Sequence, residues 1–246
     1  MRQSTLHRPG LHVGIIMDGN GRWAEARGRR RTFGHREGTR VVRRVVEAAP
    51  ALGIDALTLY AFSSDNWRRP PMEVTALLAL FRRHLRGEVS ALVAQGVRLS
   101  VIGRRDRLPA PLLAAVDAAE RATRDGRVLH LRLAIDYSAR EAIVTAARRA
   151  AACAEAGGSR LDRAGFAELI GEAVHAGEAV RDLDLLVRTG GEQRLSDFLL
   201  WEAAYAELLF SGQMWPDFGP DDLAHAVAEF HARDRRFGRV PEQAAV

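Results

Sequence analysis

Short apolar, β-branched runs alternate along the chain with longer amphipathic stretches. Val13–Met17 reads as a buried strand, and Asp18-Gly19-Asn20-Gly21 breaks it before a helix starting at Arg22. Val41, Val42, Val45, Val46 and Ala49 recur at helical spacing, with Gly53 as a stop. Ala56–Phe62 predicts a second buried strand, and residues 73–95 a long amphipathic helix. Further strands are expected over Val97–Ile102, Leu129–Ile135 and Leu183–Val187. Helices are expected over 111–123, 139–156 and 221–236, and one capped by Asp162 follows a Gly157-Gly158-Ser159 loop. Phe198–Phe210 reads as an apolar helix interrupted by Glu202 and Glu207, both expected to point outward. In the alternating strand 129–135, His130 and Arg132 share a polar register and are expected at a solvated face. Strand and helix alternate with short connections, which predicts one α/β domain around a largely parallel sheet. Its expected span is residues 12–240, between a loose arm (1–11) and a short tail (241–246).

Polar residues concentrate where strands end. Strand, Gly-rich turn and helix start together make an anion site, because glycines let backbone N–H groups converge. Asp18 is the odd member, since a bare carboxylate repels phosphate. It fits if a divalent cation stands between them. Arg27–Arg31 and Phe33-Gly34-His35 follow at once. The second strand runs into Ser63-Ser64-Asp65-Asn66-Trp67-Arg68-Arg69, and the 183–187 strand into Arg188-Thr-Gly-Gly-Glu-Gln-Arg194-Leu-Ser196. Arg188, Arg194 and Ser196 together could donate several hydrogen bonds to one diphosphate. Two anion sites imply two phosphorylated substrates, or one long one.

Composition narrows the chemistry. All 36 basic residues are arginine, which excludes a Walker lysine, a Schiff base and a pyridoxal-phosphate anchor. Cys153 is the only cysteine, so disulfide frameworks and Cys-based zinc sites are out; it is expected as buried filler in a reducing cytosol. No stretch reads as a signal peptide or membrane span. Seven arginines between residues 22 and 40 raise nucleic-acid binding as a rival, but no nucleic-acid module is recognisable.

The motifs HVGIIMDGNGRWA, FGH (33–35), LTLYAFSSDNWRRP, DLLVRTGGEQRLSDFLLWEAAYAELLF, WPDF and RRFG occur in one order from His12 to Gly238. In this the chain resembles the cis-prenyltransferases of the undecaprenyl diphosphate synthase family. The resemblance implies a Rossmann-like variant fold, a homodimer, Mg²⁺, and cis condensation of isopentenyl diphosphate with an allylic diphosphate such as farnesyl diphosphate. It implies a cytoplasmic enzyme touching the inner face of the membrane for product release, with no nucleic-acid partner. Carried over by motif, Asp18 would be catalytic and a Mg²⁺ ligand, completed by Glu207. Gly19, Asn20, Gly21, Arg22, Trp23, Arg31, Arg69 and His35 would hold the allylic diphosphate, with Ser63, Ser64 and Asp65 in the adjoining loop. Asn66 and Trp67 would lie near the reacting carbons, with Asn66 and His35 as candidates to assist proton removal. Arg188, Arg194 and Ser196 would hold isopentenyl diphosphate, and Arg236 and Gly238 would reach across the dimer. Ala61, Leu77, Phe81, Leu85 and Leu131 would line the product tunnel. The chain departs from the family pattern at Asp65, at Asp136-Tyr-Ser-Ala-Arg140 and at Asp197, which leaves product length open; Ala61 favours an undecaprenyl-type product over a short one. A silent partner subunit would have lost Asp18 and Arg22, which are both present.

Overall fold

The computed structural model describes residues 10–155 and 161–233. Six strands form one sheet, in the order β3 (Val97–Ile102), β4 (Leu129–Tyr137), β2 (Ile54–Ser63), β1 (Leu11–Ile16), β5 (Leu185–Arg188), β6 (Glu207–Phe210). Every pairing is parallel. Parallel sheets need both faces covered, which is why β1, β2 and β5 read as continuous apolar runs. One face carries α2 (Arg31–Ala48), α3 (Pro71–Ala94), α4 (Ala110–Thr123) and α7 (Pro220–Ala232), packed over Ile15, Leu57, Leu59 and Leu131. The other carries α5 (Ala139–Glu155) and α6 (Arg163–Ala173), with Ile102, Ala134, Leu186 and Phe198 in its core. The short α1 (Asn20–Glu25) follows β1. The two neighbours of β1, β2 and β5, lie on opposite sides of it, and the chain crosses from one side of β1 to the other between β4 and β5. Their carboxyl ends therefore flank a switch point, the place where open α/β sheets bind ligands.

Five expectations change. Leu11 is already in β1, so the arm does not extend to it. Phe198–Phe210 is not a helix: it turns, makes one 3₁₀ turn (Glu202–Tyr205) and ends in strand β6. Ser196, Asp197 and Leu199 all have positive φ, which a continuous helix cannot absorb. Arg132 is 5% exposed rather than solvated, because α5, α6 and the 174–183 segment cover that face of β4. Glu202 is 1% exposed, and burial raises its pKa against the pull of Arg132. Cys153 is exposed. The Gly157-Gly158-Ser159 loop and the end of the 221–236 helix lie outside the described residues, as do Arg236 and Gly238.

His12 is buried, His35 and His130 are half-buried, and all three are held neutral. Burial and then Arg132 depress His12 to about 3, and the same two causes depress His130 to about 3. Burial, then Arg69 and Arg31, depress His35 to about 4. In the unfolded chain each protonates near the ordinary value of about 6.5. Below that pH the unfolded state binds more protons, so stability falls as pH drops, by about 1.4 kcal/mol per pH unit per neutral histidine. Glu202, with its raised pKa, works in the opposite direction, one group against three. The expected result is a melting temperature that holds above pH 6.5 and declines steadily toward pH 4; a flat profile over that window in scanning calorimetry would contradict it.

Candidate active site

Asp18 stands just past β1, where its N–H donates to Ile16 O (3.0 Å) and to Thr189 Oγ1 (2.9 Å). Thr189 Oγ1 in turn donates to Asp18 O (2.8 Å), so one hydroxyl ties the first motif to the second. Gly19, at φ 100°, turns the chain so that its N–H donates to Asp18 Oδ1 (2.6 Å). Gly190 is held to glycine by space, since a Cβ there would lie 2.8 Å from the Arg22 guanidinium and 3.1 Å from Asp18 C.

Arg188 closes β5 with its side chain 4% exposed. It donates to Asp18 Oδ2 (2.9 Å), Arg194 O (2.6 Å) and Ser196 Oγ (2.7 Å), while its Nε is buried without a partner among the described residues. Arg22 approaches Asp18 Oδ1 at 3.3 Å. Burial pushes the Asp18 carboxyl up, but Arg188, the Gly19 N–H and Arg22 outweigh it and hold the group below the usual carboxylate range. Asp18 is thus an ionised carboxylate between two guanidinium groups.

These groups open into a cavity of about 460 Å³ between α2, α3 and the ends of β1, β2 and β5. Asp18, Asn20, His35, Ser63, Asp65, Asn66, Arg69, Arg188, Arg194 and Ser196 line its polar end. Ala61, Leu77, Phe81 and Leu133 line its apolar end. A separate space of about 30 Å³, which shares Val42, His84 and Leu133 with the cavity wall, reaches Leu85 and Leu131. Of the five residues expected in the tunnel, Ala61, Leu77 and Phe81 line the cavity, and Leu85 and Leu131 line the smaller space beside it.

Several of the expected site residues make further contacts of their own. Trp23 is half-buried, stacks on Phe33 and donates from Nε1 to Asp217 Oδ1 (2.7 Å), away from the cavity. Trp67 meets Phe62 edge-on with Arg107 over its ring, and does not line the cavity. Ser64 Oγ donates to the buried Asp136 (3.0 Å), which Arg107 also grips. Arg31 pairs with Glu25 (3.1 Å) and lies against Gly21, at the rim. Asn66 Oδ1 accepts from Ser63 N (3.2 Å) and so shapes its own loop. His35 Nε2 is buried without a hydrogen bond among the described residues and faces the cavity. Two of the three departures from the family pattern touch each other, since Ser138 Oγ donates to Asp197 Oδ2 (2.5 Å).

Glu207 does not join Asp18 within the chain. It opens β6 beside Leu185, its N–H bonded to Asp184 O at the end of the sheet where β1 begins, and its carboxylate pairs with Arg233 (2.8 Å). Asp18 is at the opposite end. Among the described residues no three metal-ligating side chains cluster. A lone carboxylate still suits Mg²⁺, which commonly takes one or two protein oxygens and completes its shell from phosphates and water.

Sequence reasoning missed Tyr60 and Thr189. Tyr60 lines the cavity, donates to Ser196 O (3.2 Å) and stacks on Phe198 at 4.5 Å. Burial raises its pKa, so it stays a hydroxyl donor. Its place in an apolar strand gave no polar signal. Thr189 was legible only as part of the Arg-Thr-Gly-Gly string.

A family model described as "Putative undecaprenyl diphosphate synthase" matches residues 16–238. The chain is 59% identical over 229 residues to "Isoprenyl transferase 1" of Bradyrhizobium diazoefficiens, covering 93% of this chain and 89% of that one. It is 46% identical over 227 residues to the (2E,6E)-farnesyl-diphosphate-specific ditrans,polycis-undecaprenyl-diphosphate synthase of Salmonella typhi, covering 92% and 89%. Among solved structures, lavandulyl diphosphate synthase from Lavandula x intermedia, in complex with dimethylallyl diphosphate, superposes with a TM-score of 0.88 at 38% identity, covering 94% of this chain and 99% of that one. Sheet, strand-end arginines and similarity agree: the chain belongs to the undecaprenyl diphosphate synthase family of cis-prenyltransferases, and is an isoprenyl transferase.

Proposed function

We propose that this enzyme condenses isopentenyl diphosphate with an allylic diphosphate, farnesyl diphosphate in the first instance, in cis geometry, and that repeated condensation gives undecaprenyl diphosphate as a cell-wall lipid carrier. The observation that carries this is the cavity itself, which is arginine-lined at the strand ends and apolar between α2 and α3. Arg69 and the N–H groups of the first turn of α1 receive the allylic diphosphate, with Arg22 and Arg31 at the rim. Arg188, Arg194 and Ser196 receive that of isopentenyl diphosphate. As the allylic C–O bond opens, these cations stabilise the charge gathering on the leaving diphosphate. Leu77, Phe81 and Leu133 keep water from the developing allylic cation. His35, held neutral, and Asn66 are placed at the polar end to orient isopentenyl diphosphate while its proton leaves. Mg²⁺, held by Asp18 together with diphosphate oxygens, would supply further charge neutralisation.

The resemblance also implies a homodimer, and β6 is an edge strand with Leu208 36% exposed. A two-fold pairing of β6 edges would reverse the partner strand, the route by which a second copy's Glu207 could approach the Arg188 end. Sedimentation equilibrium is expected to give twice the 27.1 kDa chain mass; a monomer at assay concentration would refute it.

The small space of about 30 Å³ at Leu85 and Leu131 supports a second reading, a shorter product. Chromatography of products from labelled isopentenyl diphosphate, farnesyl diphosphate and Mg²⁺ separates the two. A C55 product supports the first, a C20 product the second, and no incorporation sinks both. Ala61→Leu adds bulk at the cavity wall and is expected to shift the products to shorter chains; an unaltered length profile would place the growing chain elsewhere.

A further inference from the structure

A second hollow, about 520 Å³, opens at the other end of the sheet, where β1 to β4 begin. His12 of β1, Asp55 of β2, Arg98 of β3 and Arg132 of β4 line it, with Arg127 just before β4 and Arg181 from the segment after α6. It shares no lining residue with the active-site cavity. Side chains alternate along β4, so His130 and Arg132 take one face while Leu131 and Leu133 take the other. The parallel register sets Arg132 between Thr58 of β2 and Ser100 of β3. Both hydroxyls are already engaged, Thr58 Oγ1 with His12 Nε2 (2.8 Å) and Ser100 Oγ with His130 Nε2 (2.8 Å).

Arg132 is 5% exposed and lines this hollow, yet it makes no hydrogen bond or ion pair among the described residues. The carboxylates of the hollow are occupied elsewhere. Asp55 pairs with Arg181 (2.8 Å), and Glu178 lies 3.2 Å from His130 and 3.7 Å from Arg98. Glu202 feels the charge of Arg132 but does not line the hollow, and neither of its oxygens has a hydrogen bond among the described residues. Arg127 is exposed at the rim and also unpaired among the described residues. A buried guanidinium is costly to leave without an acceptor, so this one calls for a partner from outside the chain.

We propose that this hollow at the amino ends of β1 to β4 binds a small anion of the diphosphate class, apart from the two substrate diphosphates. Arg98, Arg127, Arg132 and Arg181 approach it from four separate places in the chain. Phosphate oxygens point tetrahedrally and accept from several directions at once, whereas a carboxylate takes a single planar fork. The volume is more than one phosphate fills and lies within the range of small-molecule sites.

The test titrates the full chain with inorganic diphosphate in magnesium-free buffer. That anion also enters the active site, so the readout has to be local. Ring NMR signals of two histidines provide it, His130 for this hollow and His35 for the catalytic cavity, each assigned through its Gln variant. The His130 signal is expected to move as diphosphate is added, and to need more orthophosphate for the same displacement. Arg98→Gln with Arg127→Gln is expected to raise the Kd read at His130 about 30-fold, or about 2 kcal/mol at roughly 1.4 kcal/mol per tenfold. The Kd read at His35 should stay where it was, and a thermal melt like that of the wild type verifies folding. Arg132→Met should abolish the His130 response, but it strips the charge facing Glu202 and endangers the fold, so the outer pair of arginines decides. A His130 signal that stays put in the wild type would overturn the proposal, as would equal Kd values there for wild type and variant. Saturation at His130 by citrate at lower concentration than by diphosphate would also overturn it.

Discussion

Asp18→Ala is expected to lower kcat by at least about 10³-fold while leaving the fold intact. Removing a single preorganised charge-stabilising group from an active site costs about 10²–10³, and Asp18 does more than one task. It is held ionised between Arg188 and Arg22, at the junction of β1 and β5. Its backbone links to Thr189 and Trp215 are main-chain contacts that alanine keeps. Losing a partly exposed partner of Arg188 should cost about 2 kcal/mol of stability. Labelled-substrate incorporation and a thermal melt decide the matter. A near-normal rate would remove Asp18 from the chemistry, and an unfolded variant would make it a structural residue. Asp18→Asn separates charge from shape, since it fills the same space and should be nearly as inactive.

Arg188→Met is expected to be the more damaging change for stability and to reduce kcat/KM about 10³-fold. Its guanidinium satisfies a carboxylate, a carbonyl and a hydroxyl at once from a 4% exposed position. Breaking a buried charged pair typically costs about 3–5 kcal/mol, and the lower end applies because Asp18 is 30% exposed. Arg188→Lys should not rescue, because a single ammonium cannot present the planar fork to three acceptors. The loss should appear mainly as a raised KM for isopentenyl diphosphate. A variant whose KM for that substrate is unchanged would move its diphosphate away from β5.

The strands and long helices were legible because burial on both faces leaves a plain apolar signature, as in β1 and β2. The catalytic end was legible because polar residues cluster where those runs stop. What escaped was set by tertiary context. Arg132 sits in an alternating strand and looks solvated, yet a segment distant in sequence covers it. Glu202 looked like an outward acid on a helix, but the helix does not exist, because three consecutive-region residues near Ser196 adopt left-handed backbone. Glu207 carried the right motif, but motif order cannot say at which end of a strand a side chain lands. Trp23 and Trp67 are similar cases: their presence was readable, their direction was not.

The grip of Asp18 on Arg188 has a consequence for how substrate arrives. In the resting molecule the deepest cation already owns an anionic companion, so a diphosphate entering the crevice trades places with an internal group instead of meeting bare charge. Fewer small ions leave the surface in such a trade. The capture of substrate should therefore weaken with rising ionic strength less steeply than a tally of arginines around the opening would imply.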